Sequence, residues 1–132
     1  MDLGLNDKVA FVTGSGQGVG REIAKTLGSE GAFVIVNDVI EKKALSVADE
    51  IKGSGGRAIG LKADITRPNE VNDIVIHAQN IAGPVDILIN NAGVPVPIRS
   101  GEHLKHMFVE SQESDWKIYI DLNMYGDRKS VV

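Results

Sequence analysis

Short apolar runs alternate with longer amphipathic segments along the first ninety residues. Apolar residues recurring three and four positions apart predict helices, and short continuous or alternating apolar runs predict strands. Helices are predicted over Val19–Ser29, Glu41–Lys52 and from Thr66 to Gly83. Strands are predicted over Val9–Val12, Ala32–Asn37, Ala58–Ala63 and Val85–Asn90. This β-α-β-α-β-α-β order predicts an α/β fold with a parallel sheet and helices on both of its faces.

The same periodicity predicts which face of each helix is buried. It also predicts where two of the strands lie in the sheet. The second strand is continuously apolar, as expected inside a parallel sheet, whereas the third alternates and is expected near an edge. Gly31 is expected to end the first helix and Thr66 to cap the third. A long connection, Asn91–Ser114, precedes a fourth helix that opens at Asp115. The expected buried positions are Val19, Ile23, Ala24 and Leu27, then Ala44, Val47, Ala48 and Ile51, then Val71, Ile74, Val75, Ala78 and Ile81.

Composition narrows the class of protein. The 132 residues are 42% hydrophobic and 24% charged, which is typical of one globular domain. A net charge of −4 and the lack of a lysine or arginine run argue against a nucleic-acid partner. The absence of cysteine excludes disulfide and thiol chemistry. No apolar run is long enough to cross a membrane, and the N-terminus does not resemble a secretory signal, so a cytoplasmic protein is expected.

A glycine-rich turn joins the first strand to the first helix. Gly14, Gly16, Gly18 and Gly20 lie at alternate positions between the two elements. A turn of this kind directs free backbone N–H groups and the positive end of a helix at one point, which suits a phosphate group. The spacing alone is a weak signal, but its place between a strand and a helix is the one that dinucleotide binding requires. The alternative is a structural turn without a ligand.

An acidic residue, Asp38, follows the second strand. A carboxylate at this place can accept hydrogen bonds from both ribose hydroxyls of an adenosine, and it would repel a 2′-phosphate. Neither Gln17 nor Val39 supplies a cation for such a phosphate. The residues therefore favour NAD over NADP. The alternative is that Asp38 only begins a turn or caps the second helix.

Polar and small residues also follow the third and fourth strands. Asp64 could accept a hydrogen bond from an adenine amino group while Ile65 packs on the ring, although aspartate before threonine is also common in turns. The fourth strand ends in the sequence Asn-Asn-Ala-Gly at positions 90 to 93. Small residues there allow the backbone to lie close to a ligand.

Together these features resemble the short-chain dehydrogenase/reductase family, in particular its members similar to 3-oxoacyl-carrier-protein reductase. The resemblance rests on Thr13-Gly14-x-x-x-Gly18-x-Gly20, on Asp38 and Asp64, and on the Asn-Asn-Ala-Gly turn, and it covers essentially the whole chain. It implies a Rossmann-type three-layer fold, a nicotinamide dinucleotide, and hydride transfer to or from a small alcohol or ketone. It also implies a homo-oligomer for the full-length protein.

The resemblance assigns roles to individual residues. Asp38 would hold the adenosine ribose, Asp64 and Ile65 would meet the adenine, and Asn90 would steady the sheet. Asn123, on the expected fourth helix, corresponds to the family's catalytic asparagine; the alternative is an ordinary surface residue. The turn that would hold the diphosphate comprises Gly14, Ser15, Gly16, Gln17, Gly18, Val19 and Gly20, and the residues beside the cofactor would be Asn91, Ala92 and Gly93.

The family's catalytic serine, tyrosine and lysine are expected farther along a chain than Val132. Tyr125 and Lys129 have the Tyr-x-x-x-Lys spacing, but they follow Asn123 on what should be the same helix, so no catalytic role is expected. Residues 1–132 are therefore interpreted as one Rossmann domain that is incomplete at its C-terminus and either marginally stable or paired with another copy. The alternatives to an oxidoreductase are a non-catalytic dinucleotide-binding module or inactive remnant, and, less compatible with these motifs, a methyltransferase.

A metal site is not expected. His103 and His106 are three residues apart, with Glu102 and Glu110 nearby, but solvated histidines and glutamates on a surface helix are common and no third ligand is fixed. His77, in the third helix, is expected at the surface.

Overall fold

The computed structural model describes residues 2–93 together with Lys117 and Asp121. Within residues 2–93, strands and helices alternate in the predicted order. The strands are β1 (Val9–Val12), β2 (Phe33–Asp38), β3 (Arg57–Lys62) and β4 (Ile87–Ile89). The helices are α1 (Gly18–Ser29), α2 (Glu41–Gly53) and α3 (Pro68–Ala82). The predicted connection Asn91–Ser114 is described only as far as Gly93, and the predicted start of the fourth helix at Asp115 lies outside the described residues.

The four strands form one parallel sheet in the order β3-β2-β1-β4. β3 is at one edge, as its alternating sequence predicted. The chain steps outward from β1 to β2 and β3, and then returns to the opposite side of β1 for β4. The strand order therefore reverses between β1 and β4, and a parallel sheet of this type offers a crevice at such a point.

Two apolar cores cover the two faces of the sheet and make the predicted three-layer α/β architecture. One contains residues of α1 and α2 packed on β1 and β2, including Ala24, Val47 and Val36. The other contains residues of α3, including Ile74 and Ala78, packed on Phe11 and Ile35. Residues 34 to 38 of β2 are all buried, because this strand has neighbours on both edges and helices on both faces. The sheet is thus fixed from both sides and holds its strand ends in place.

The predicted buried face of α1 is wrong at its first position. Val19 is 73% exposed, and the buried residues of α1 are Gly20, Ala24 and Gly28. These small residues lie four apart, so they form a continuous stripe along which the helix approaches the sheet and α2 closely. Val19 lies off this stripe, while Ile23 and Leu27 flank it and are partly buried. The four buried residues predicted for α2 are all confirmed.

Several predicted ends of elements also differ from the structure. Arg67, not Thr66, is the N-cap of α3, because the Thr66 amide and hydroxyl both donate to the Asp64 carboxylate in the preceding turn. Ile81 is 49% exposed, since the stripe of α3 continues from Ala78 to Ala82, one full turn later. β4 is shorter than the predicted Val85–Asn90, as only residues 87 to 89 pair with β1. α1 ends at Ser29 with Glu30 as its C-cap, one residue before the predicted Gly31, which has a φ of +94° and donates its N–H to the Gly28 carbonyl.

Candidate functional site

The glycine-rich turn lies at the carboxyl end of β1, where β1 and β4 run side by side. α1 begins there with Gln17 as its N-cap, and no side chain caps this helix end. In the described part of the chain, the backbone N–H groups of Gly18, Val19 and Gly20 have no hydrogen-bond acceptor. Three unpaired donors at the positive end of a helix form a site for an anion.

Gly14 and Gly20 allow the turn to pack closely against the protein, whereas Gly18 borders open space. A Cβ on Gly14 would lie 2.7 Å from the Cα of Ala92, and one on Gly20 would lie 2.7 Å from the carbonyl oxygen of Gly14. Gly18 has a φ of +59°, which side chains rarely adopt, and nothing lies within 4 Å of its Cβ position. The turn is therefore compact on its protein side and open on its solvent side, as a bound phosphate requires.

Ser15 faces into the protein. The residue is fully buried; its hydroxyl donates to the Val12 carbonyl at 2.7 Å and accepts from the Asn37 N–H at 3.2 Å. Its own N–H donates to the Asn37 carbonyl at 2.8 Å. All these polar groups are used within the protein, so Ser15 supports the shape of the turn by joining the ends of β1 and β2.

Thr13 joins the ends of β1 and β4 through its side chain, a role that the sequence analysis missed. Its hydroxyl oxygen accepts from the backbone N–H of Asn91 at 3.0 Å and of Ala92 at 3.1 Å. In return, the Asn91 side-chain amide donates to the carbonyls of Thr13 and Gly14 at 3.0 and 3.1 Å. These bonds bring Asn91 and Ala92 against the glycine turn, as the predicted site requires. The available signal was a threonine just before the first glycine.

Asp38 lies beside the turn at the end of β2 and is 8% exposed. One carboxylate oxygen accepts from the Gly16 N–H at 3.1 Å, and the other accepts from the Ile40 N–H at 3.0 Å. The second bond is the turn interaction that the sequence left open as an alternative. A carboxylate offers about four acceptor positions, so this side chain retains capacity for a ligand.

The remaining predicted site residues are distributed as follows. The Asp64 carboxylate accepts from the N–H and hydroxyl of Thr66 at 2.9 and 2.7 Å, which is the turn chemistry weighed above. Ile65, next to it, is 6% exposed, and Gly93 is half-buried directly after Ala92. Asn123, Tyr125 and Lys129 lie outside the described residues. Asn91 and Ala92 contact the glycine turn. Asp64 lies farther from the turn, because it follows β3, which is separated from β1 by β2.

Lys43 is a second residue that the sequence analysis missed. It is half-buried in the first turn of α2, and its ammonium group donates to the side-chain oxygen of Gln17 at 2.6 Å. The sequence gives no sign of this contact, because Gln17 is the N-cap of α1 whereas Lys43 lies in α2. The packing of α2 beside the glycine turn brings them together.

An ion-pair cluster ties α1 to α2 behind the site. The Glu50 carboxylate is contacted by the Arg21 guanidinium and lies 3.4 Å from the Lys25 ammonium. The hydrogen bond from Arg21 lowers the pKa of Glu50 most, partial burial opposes this, and Lys25 lowers it further. The same hydrogen bond raises the pKa of Arg21. The cluster holds together the two helices that carry Gln17 and Lys43.

The described residues contain neither a metal-binding cluster nor a membrane-spanning helix. They contain no group of three histidine, cysteine, aspartate or glutamate side chains arranged to hold a metal ion. The four residues considered above for a metal lie outside them, while His77 is exposed as predicted. No helix in this part of the chain is long and apolar enough to span a membrane.

Comparison with known proteins gives consistent matches. The dehydrogenase subunit BbsD of Thauera aromatica, which acts on (2S)-[(R)-hydroxy(phenyl)methyl]succinyl-CoA, is 34% identical over 94% of this chain and 47% of its own length. The 7alpha-hydroxysteroid dehydrogenase of Escherichia coli is 44% identical over 70% of this chain and 36% of its own. The 5-keto-D-gluconate 5-reductase of Escherichia coli is 32% identical over 90% of this chain and 44% of its own length. The chain thus spans less than half the length of these relatives.

A solved structure and a family model agree with these relatives. A metagenomic short-chain oxidoreductase, crystallised in complex with NADP, superposes with a TM-score of 0.83 and 27% identity, covering 96% of this chain and 54% of the other. The family model described as short chain dehydrogenase matches residues 8–128. The sheet order β3-β2-β1-β4 and the glycine turn are those of a Rossmann-type fold. This chain therefore belongs to the short-chain dehydrogenase family.

Proposed function

We propose that this chain is the cofactor-binding half of an NAD(P)-dependent oxidoreductase that transfers hydride between nicotinamide and a small alcohol or carbonyl substrate. The observation that carries the proposal is the uncapped start of α1, where Gly18, Val19 and Gly20 present free N–H groups beside the ends of β1 and β4. This geometry fits a dinucleotide diphosphate. The alternative is a dinucleotide-binding module without catalytic activity.

The residues around this point would divide the cofactor between them. The turn from Gly14 to Gly20 would hold the diphosphate, Asp38 the adenosine ribose, and Asp64 with Ile65 the adenine. Asn91, Ala92 and Gly93 would line the path toward the nicotinamide, since Thr13 holds the first two against the turn. The bound nicotinamide would supply the hydride chemistry. Asn123 would serve the proton transfer that accompanies it.

We further propose that NAD is preferred over NADP. Asp38 is buried, carries a negative charge and retains acceptor capacity, so it can bind two ribose hydroxyls and repel a 2′-phosphate. The NADP in the similar metagenomic enzyme supports the cofactor class rather than this preference. Cytoplasmic location and a homo-oligomeric full-length form belong to the same proposal, and cell fractionation and native mass measurement test them.

The cofactor preference is tested by replacing Asp38 with alanine. We expect Asp38→Ala to weaken NADH binding about tenfold and to reduce the NADH-over-NADPH preference, because charge-assisted hydrogen bonds are worth about 1.5–3 kcal/mol. Dissociation constants for both cofactors are measured by nicotinamide fluorescence. The ratio of the two dissociation constants is the decisive quantity. A distorted turn would weaken the binding of both cofactors alike, since both contain the diphosphate.

The matched control is Asp49→Ala, which removes an exposed acid from α2. It should leave both dissociation constants unchanged. An unchanged NADH-to-NADPH ratio in Asp38→Ala would show that Asp38 does not select the cofactor. A chain that binds neither cofactor, while still folded by circular dichroism, would reject the proposed function itself.

A further inference from the structure

Lys43 places a positive charge near Asp38, although no residue next to this place along the sequence is basic. Neither Gln17 nor Val39, the positions adjoining the ribose-binding carboxylate, is basic. Lys43 reaches this place from the first turn of α2 instead. A Cβ built on Gly16 would lie 2.7 Å from the Cβ of Lys43 and 2.5 Å from the nearer Asp38 oxygen. Lys43 therefore borders the same backbone segment that Asp38 does.

The ammonium group of Lys43 is held without being neutralised. It donates to the neutral Gln17 side chain at 2.6 Å, and among residues 2–93 it has no carboxylate within ion-pair distance. Its half-buried stem lies against the turn, which restricts the positions the charge can occupy. A lysine ammonium has three donors, so two remain for a ligand.

The Asp38 carboxylate, by comparison, is already hydrogen-bonded within the protein. Each of its two oxygens already accepts one backbone N–H, from Gly16 and Ile40. A carboxylate that accepts hydrogen bonds repels a neighbouring anion less than a bare one does. The repulsion of a 2′-phosphate by Asp38 is thus opposed on one side by these donors and on the other by the Lys43 charge.

We propose that Lys43, steadied by Gln17, forms a subsite for the phosphomonoester at the 2′ position of the adenosine ribose. This inference rests on the proposed dinucleotide site and refines its selectivity. Asp38 sets the preference for NAD, and Lys43 limits how strong that preference is, so that NADP is also accepted. Lys43 is a specificity-determining residue of the cofactor site and takes no part in hydride transfer.

The test is binding of matched nucleotides to the full chain and to Lys43→Gln. The probes are 2′,5′-ADP and 5′-AMP, which differ by the 2′-phosphate, followed by NADPH and NADH. Glutamine keeps a similar stem and removes the charge. We expect Lys43→Gln to bind 2′,5′-ADP and NADPH about five- to tenfold more weakly, as loss of one charge-assisted hydrogen bond predicts, with 5′-AMP and NADH changed less than twofold.

Lys42→Gln is the matched control, because it removes the same charge from the neighbouring, exposed position of α2. It should change no dissociation constant by more than about twofold, as expected for an exposed charge. The dependence of 2′,5′-ADP binding on salt should be steeper for the unaltered chain and for Lys42→Gln than for Lys43→Gln, since screening acts on the charge pair.

The outcomes separate this inference from the proposed function. If the unaltered chain binds NADH, and Lys43→Gln binds all four probes as the unaltered chain does, the Lys43 subsite is rejected and the dinucleotide site stands. Equal weakening of all four probes, together with a lower thermal midpoint, would make Lys43 a structural tether for Gln17. A folded chain that binds none of the probes would reject the dinucleotide site and the subsite together.

Discussion

Thr13 holds two strand ends together with one hydroxyl group. Its oxygen accepts the backbone N–H groups of Asn91 and Ala92, and it is 1% exposed. Water cannot replace a buried acceptor without a rearrangement, so both donors depend on this one side chain. The position of the Asn-Asn-Ala-Gly turn relative to the glycine turn therefore depends on the Thr13 hydroxyl, together with the Asn91 side-chain amide, which donates to the carbonyls of Thr13 and Gly14.

Replacing Thr13 with valine tests this dependence. Valine has nearly the same shape but leaves the two N–H groups without an acceptor, so we expect Thr13→Val to lower the free energy of unfolding by about 1–3 kcal/mol and to weaken NADH binding. Thr13→Ser keeps the hydroxyl and should retain most of both properties. Denaturant unfolding and NADH fluorescence give the measurements. Equal behaviour of the two variants would contradict the role assigned to the hydroxyl.

At the residue scale, the sequence locates the residues at the strand ends but does not reveal most of their contacts. The glycine turn, Asp38 and the turn at Asn91 could be identified because each lies at or just beyond the end of a strand, and the strand ends of a parallel sheet gather at one edge. Lys43 could not, because it lies within a helix and reaches the turn only through the packing of α2 beside it. The internal use of Ser15 was equally hidden, as it depends on a contact with β2.

At the scale of elements, the periodic pattern locates helices well but assigns their faces less reliably. The stripe of α2 was predicted in full because it consists of apolar side chains. The stripe of α1 consists of Gly20, Ala24 and Gly28, and hydrophobicity gives glycine no weight. The pattern therefore selected Val19, which lies off that stripe. A run of small residues four apart is the signal that would have corrected this.

The α1–α2 cluster leads to a prediction about pH. The folded-state pKa of Glu50 is lowered below its ordinary value of 4.5, chiefly by the hydrogen bond from Arg21. The stability from this cluster is then complete above pH 4.5 and is lost as the pH falls through the lower folded-state pKa. We expect Glu50→Gln to lower the thermal midpoint at pH 7, and the difference from the unaltered chain to shrink at acidic pH.

Thermal unfolding followed by circular dichroism between pH 3 and pH 7 would measure this effect. Asp49→Asn is the control, because Asp49 lies next to Glu50, is 74% exposed and pairs with Lys52 within the same helix. Exposed pairs of this kind contribute little to stability, so the thermal midpoint of Asp49→Asn should equal that of the unaltered chain at each pH. A Glu50→Gln difference that stayed constant across this range would mean that the charge of Glu50 does not hold α1 to α2.

At the scale of the whole molecule, β4 is the least supported part of the sheet. Within residues 2–93 it pairs with β1 alone, over three residues, and Leu88 is 37% exposed. The site nevertheless depends on this strand, since Asn91 and Ala92 follow it. The prediction that the chain is marginally stable or pairs with a second copy rests on this edge. A ligand that bridges the ends of β1 and β4 should therefore stabilise the entire sheet.

A dinucleotide that joins the two strand ends should therefore stabilise the 132-residue chain. A ligand that binds only the folded state raises stability by about 2.7 kcal/mol at one hundred times its dissociation constant. We expect saturating NADH to raise the thermal midpoint of this chain without any turnover of alcohols or ketones. Binding is expected to require only the turn and the strand ends, whereas turnover is expected to require the family's catalytic tyrosine and lysine in addition. No catalytic role is expected of Tyr125 and Lys129, because they follow Asn123 on what is predicted to be the same helix.

The control for stabilisation is Gly20→Ala, whose Cβ would meet the carbonyl of Gly14 and disturb the turn, so its midpoint should not respond to NADH. Measurable oxidation of NADH with a carbonyl substrate by the 132-residue chain would show that its catalytic set is present after all. Stabilisation without turnover would favour the cofactor-binding half. The mass of the protein in its native cell would then separate the two proposed functions, because the oxidoreductases that this chain matches are longer, and the chain spans 36–47% of their length.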